Sequence, residues 1–110
     1  MTDAGRGTRP ATLGALLDEL APRLPDVRTA RAGARAEWSR GGVAFAAIDD
    51  DALEVRLDGP VAAAALRTPD TSEASRGRPW VRFAPPELDD HAIDRATAWF
   101  ELAYRRAAAT

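Results

Sequence analysis

Leucines recur at three- and four-residue steps from Leu13 through Leu16, Leu17 and Leu20 to Leu24, with Asp18, Glu19 and Arg23 between them. That spacing gathers the leucines on one face of a helix. Thr12 is placed to cap its start, and Pro22, which lacks a backbone N–H, is expected to end or kink it near Ala21. A second stripe lies at the far end of the chain. Ile93, Ala96, Trp99, Phe100, Ala103, Tyr104 and Ala107 share one face of a helix capped by Asp89 or Asp90 and running to about Arg106.

Between the two stripes the period changes from helical to alternating. Leu53, Val55 and Leu57 alternate with Glu54 and Arg56, the pattern of a strand with one buried and one wet face. Val43 to Ile48 precedes it across the turn Asp49-Asp50-Asp51, which predicts an antiparallel hairpin. In that first run simple alternation puts Val43, Phe45 and Ala47 on one side and Ala44, Ala46 and Ile48 on the other.

Upstream, Val27 to Ala32 reads as a first strand. Ala34 to Trp38 reads as an edge strand whose Arg35 and Glu37 guard open backbone. Gly41-Gly42 supplies a turn that tolerates positive φ, and it lacks the glycine spacing and Lys-Ser/Thr of a phosphate loop. Downstream, Pro60 to Arg67 reads as a short helix with Asp58 as its cap. Residues 68–79 form the longest polar stretch and read as an irregular connection. Trp80 to Ala84 is the third partner of the hairpin, with Val81 and Phe83 inward and Trp80 and Arg82 on the opposite side.

A hairpin alone is marginal in water, so its apolar face needs a cover, and the two terminal helices are the candidates. The predicted fold is therefore α+β, an antiparallel β-meander packed against N- and C-terminal helices in the order α-β-β-β-α-β-α. At 110 residues this is one domain over 10–110, preceded by a flexible N-terminal arm at 1–9.

Composition narrows the chemistry. With no cysteine there are no disulfides and no thiolate nucleophile, and with one histidine there is no histidine cluster. All fifteen basic residues are arginine, which removes lysine Schiff-base chemistry. The formal charge of -2 is uneven, since residues 46–75 carry two arginines against seven acids. Such a distribution does not indicate a uniformly basic, nucleic-acid-binding surface. The first residues hold no apolar segment of a signal peptide and no run is apolar enough to span a bilayer, so the expected location is cytoplasmic without membrane attachment.

The remaining chemical candidates are weak. Asp49-Asp50-Asp51 lacks the glycine and glutamate of a calcium loop, and consecutive side chains diverge, so a charged turn is the simpler reading. His91 beside Asp89, Asp90 and Asp94 reads as a surface residue at a helix cap. Ser39, Ser72 and Ser75 have no base near them in the chain. No catalytic residue, metal ligand or cofactor is assigned.

In several segments the chain resembles known families. These are Glu37-Trp38 through Gly41-Gly42 to Phe45, Leu53 to Leu66, Trp80-Val81-Arg82-Phe83, and Leu102-Ala103-Tyr104-Arg105-Arg106. They resemble a small family labelled as a luciferase-like domain, related in architecture to the MmcQ/YjbR-like proteins. The resemblance implies a winged α+β form and a DNA-binding role. In the MmcQ/YjbR-like proteins a histidine, asparagine and lysine motif precedes the tryptophan. Here Ala74 to Trp80 keeps the tryptophan without that motif, and Arg76 and Arg78 supply positive charge instead.

The candidate binding surface combines Arg76, Arg78, Trp80 and Arg82 with Arg40 from the glycine turn. Arginine forks hold phosphate or carboxylate, and a tryptophan stacks on a base or an aromatic ligand. The same residues also suit a boundary of the core with arginines in solvent. The expected function is a small non-enzymatic binding or interaction module. The alternatives are nucleic-acid binding through Arg76, Arg78, Trp80 and Arg82, and a small-molecule-binding or accessory domain of an enzyme system. The partner is unassigned, with a nucleic acid or a protein as the candidates, and the chain is expected to be a monomer or weak homodimer.

Overall fold

The computed structural model describes residues 10–108, so the arm expected at 1–9 lies outside the described residues. Helix α1, Leu13–Leu20, starts where the Thr12 hydroxyl accepts the Ala15 backbone N–H at 3.1 Å, and it buries Leu13, Leu16, Leu17 and Leu20. At Pro22 it tightens into a 3-10 turn, Ala21–Arg23, as the missing N–H requires. Strands β1 (Val27–Ala32), β2 (Arg35–Arg40), β3 (Val43–Asp49) and β4 (Ala52–Arg56) follow. Helix α2 (Gly59–Ala65), strands β5 (Thr71–Glu73) and β6 (Trp80–Phe83), and helix α3 (Asp90–Ala108) complete the chain.

The result is an α+β domain with one six-stranded antiparallel sheet in the order β1-β2-β3-β4-β6-β5. The terminal helices do cover the hairpin, and β6 does pair with β4. Four expectations change. The sheet has two more strands than α-β-β-β-α-β-α allows: four rather than three precede α2, and Thr71–Glu73, inside the stretch read as irregular, pairs with β6 as a short edge strand. The segment read as an edge strand is internal, flanked by β1 and β3. Its Arg35 and Glu37 stand on one face of the sheet, while Ala36 and Trp38 are buried on the other.

The third change lies in β3. A β-bulge opposite Trp38 and Ser39 inserts Phe45 as an extra residue, so Trp38 pairs with Ala46 and Ser39 with Ala44. Phe45 and Ala46 are consequently both buried, against simple alternation. The fourth concerns Asp58, which makes no side-chain cap bond to α2; its carboxylate instead meets Arg106 Nε at 3.2 Å.

The turns explain their sequences. Gly41 and Gly42 have φ of 58° and 82°, the left-handed pair that a two-residue hairpin turn between β2 and β3 demands. Asp50 has φ of 58° at the β3–β4 turn, a conformation aspartate tolerates better than most residues.

The core lies between the sheet and α1 and α3. Phe100 is fully buried, with its ring 6.2 Å from Trp38 and 5.3 Å from Phe45 between centroids. Asp89 caps α3 by accepting the Ala92 N–H at 2.9 Å. Arg95 ties α3 to the end of α2: its guanidinium lies 4.5 Å from the Phe83 ring and donates to Thr68 Oγ1 at 2.6 Å and the Pro69 carbonyl at 2.7 Å. At the other end of α3 the Tyr104 hydroxyl donates to the Pro25 carbonyl at 2.7 Å.

Because the Trp38 and Phe45 rings both pack on Phe100, its truncation leaves a cavity that neighbouring elements cannot fill. Phe100→Ala is expected to cost about 3 to 5 kcal/mol in a denaturant melt. An unchanged midpoint would show that this ring does not centre the core.

Candidate functional site

The sheet register lines up one residue from each strand on the face away from α1 and α3. Ala30, Glu37, Ala47, Glu54, Arg82 and Ser72 form a continuous row across it. Alternation makes this the side opposite Trp38, Ala46, Val55 and Val81. The row is polar at its centre.

Glu54 is 2% exposed, the buried charged residue among those described, and it lies on the face away from the apolar core. A carboxylate loses several kcal/mol of hydration on burial, roughly, and needs close cationic donors. Two arginines supply them. Arg76 Nε donates to Glu54 Oε1 at 3.2 Å, and Arg82 Nη1 donates to Oε2 at 3.5 Å. Arg76 also reaches Glu37, with Nη2 3.0 Å from Oε2. Its fork thus spans the two acids that flank Ala47, whose small side chain leaves the space open.

Arg76 belongs to the connection from β5 to β6, and its two ion pairs hold that connection on the sheet. The turn is closed internally by Gly77 N–H to the Ala74 carbonyl at 3.0 Å and Trp80 N–H to the Gly77 carbonyl at 2.9 Å. Gly77 has φ of 87°, which favours glycine there. The Arg76 guanidinium lies 4.7 Å from the centroid of the half-buried Trp80 ring, within cation–π range. Buried acid, arginine and indole therefore form one stack of constraints.

Of the residues expected to act together, Arg76, Trp80 and Arg82 meet in this network. Arg78 stands beside them at the sheet edge, with Nη2 3.3 Å from Glu73 Oε2 in an exposed pair. Arg40 does not join them. Two residues beyond Trp38 on β2, it shares the helix-covered face, where its guanidinium lies 3.9 Å from the Tyr104 ring centroid and donates to the Tyr104 carbonyl at 3.2 Å.

Sequence reasoning missed Glu37 and Glu54 as members of the site. The signal was the alternation in β4, which places Glu54 away from the apolar face, but alternation cannot say that a connection 22 residues on will cover it.

Two clefts border the network. One, of about 380 Å³, is lined by Ala30, Ala47, Glu37, Glu54, Ser75 and Arg76 among others. The second, of about 300 Å³, lies between α2 and the start of β6 and includes Trp80. His91 is exposed at the start of α3, away from any such cleft lining. Among the described residues no three acidic or histidine side chains are grouped to hold a metal ion, and no helix is long and apolar enough to cross a membrane.

Compared with protein-family models, with curated proteins and with solved structures, the chain finds no match. The site is therefore read from its own geometry.

Removing the buried acid leaves two arginines that are about a third exposed and reach water, so the penalty is smaller than for an isolated buried charge. Glu54→Ala is expected to lower stability by roughly 1 to 3 kcal/mol, and Glu54→Met to recover much of that loss by refilling the volume. Chemical denaturation of the three proteins decides this. A neutral Glu54→Ala would show that the carboxylate holds nothing in place.

Proposed function

We propose that this chain is a small non-enzymatic binding module whose recognition surface is the β5–β6 connection and the sheet face beneath it. The observation that carries the reading is Glu54, buried on a sheet face that α1 and α3 leave open and matched to Arg76 and Arg82. Apolar residues in place of the acid and both of its arginines would serve stability as well or better, so the buried network is a cost that stability alone does not explain. Its physical effect is to hold Arg76 against Trp80 and so to fix the indole on the sheet face, with Arg78 beside it at the edge.

The ligand in this reading is small and polar or amphipathic. Arg76 and Arg82 are already held by Glu37 and the buried Glu54, so a phosphate backbone would have to displace carboxylates from both of those forks. That argues against nucleic acid as the ligand. Kinship with the MmcQ/YjbR-like proteins and the luciferase-like domain family rests on the sequence segments quoted above, and a DNA-binding role would come only with it.

The test is amide chemical-shift mapping of the full chain at low salt. The titrants are mononucleotides, single- and double-stranded DNA, RNA, and a panel of small carboxylates, amines and amino acids. Resonances of 74–82 are expected to move with a member of the small-molecule panel and to stay in place with nucleic acid. Salt-sensitive shifts caused by DNA or RNA would reverse the assignment, and a panel that leaves 74–82 unmoved would remove it.

A further inference from the structure

The cleft beside α2 has an uneven lining. Ala62 and Ala63 of α2, with Leu66, Pro79 and Trp80, make a wall of aliphatic and aromatic carbon. Glu73 and Arg78 provide its charged side. At about 300 Å³ the space is at the small end of ligand pockets, which are mostly apolar with a few polar groups that fix orientation.

The charged side is an ion pair with unusual freedom. The Arg78 and Glu73 side chains are 84% and 60% exposed, with Nη2 3.3 Å from Oε2. An exposed pair of this kind contributes little to stability, so separating it costs little. Opened, it offers one guanidinium and one carboxylate side by side at the mouth of an apolar pocket. The molecule complementary to that arrangement carries its own adjacent carboxylate and ammonium on an apolar body.

We infer that this cleft binds a free apolar α-amino acid in its zwitterionic form. The carboxylate lies on the Arg78 fork, the ammonium on Glu73, and the side chain against Trp80, Leu66 and the alanines of α2. The Arg78 fork recognises a carboxylate as a planar, two-donor partner, and Glu73 accepts from the ammonium. The small residues of α2 make the room: Ala63 is exposed at the surface and Ala62 is buried beneath it. This assignment rests on the proposed binding role of the β5–β6 connection and names the ligand class for it.

The experiment titrates the full chain with L-phenylalanine and L-leucine, then with 3-phenylpropionate and 2-phenylethylamine, following the Trp80 indole N–H resonance and the heat of binding. The amino acids are expected to bind, and each analogue, lacking one charge, to bind at least about tenfold more weakly, the loss typical of a missing charge-assisted hydrogen bond. Arg78→Ala and Glu73→Ala should each weaken the amino acids by a similar factor. Ala63→Phe, which fills the cleft from an exposed helix position, should abolish binding with an unchanged melting temperature.

Equal binding of the amino acids and both analogues would overturn the zwitterion assignment. Undiminished binding to both the Ala63→Phe and the Arg78→Ala proteins would overturn the location. If amino acids leave Trp80 unmoved while another small titrant shifts 74–82, the ligand class falls and the binding module stands. If nothing shifts 74–82, both fall.

Discussion

A carboxylate held almost out of water in the middle of a sheet sets the terms for the open face of this domain. A buried carboxylate needs donors, and those of Glu54 come from the neighbouring strand and from a connection that folds back across the sheet. Arg82 arrives by register, directly opposite Glu54 on β6. Arg76 arrives from the turn, bringing Gly77 and Trp80 with it. The short strand β5 is a by-product of the same closure, since a chain anchored at Arg76 and continuing into β6 leaves the preceding residues alongside that strand.

The helix-covered face works by a different principle. There the binding energy is apolar area, gathered by Leu13, Leu16, Leu17 and Leu20 of α1 and by Ala96, Phe100 and Ala103 of α3. Arginines again finish the edges, but by lying on rings. Arg95 stacks on Phe83 and Trp99, and Arg40 on Tyr104. A chain whose basic residues are all arginine can use these planar contacts wherever a strand end or helix end meets an aromatic ring. The two faces thus divide the arginines between those that seal the core and those that organise the open side.

The bulge in β3 connects the two faces. By adding Phe45 to the register opposite Trp38 and Ser39, it turns two consecutive side chains of one strand into the core and completes the aromatic group around Phe100. On the other face, the register keeps Ala47 between Glu37 and Glu54, where a larger residue would obstruct the Arg76 fork.

Local pattern was enough for much of this. The leucine stripe, the Pro22 stop, the glycine turn, the 43–57 hairpin, the inward Val81 and Phe83, and the last helix were all legible, because each depends on residues within a turn or two of one another. Arg76, Trp80 and Arg82 were legible as neighbours because they fall within seven consecutive positions, at the end of a connection and in the strand that follows it. The place of β2 inside the sheet, the strand hidden in 71–73, the bulge at Phe45, the separation of Arg40 from the other arginines, and the burial of Glu54 were not. Each is decided by which distant segment covers a residue, and a one-dimensional pattern records the period of side chains but not the identity of what lies across from them.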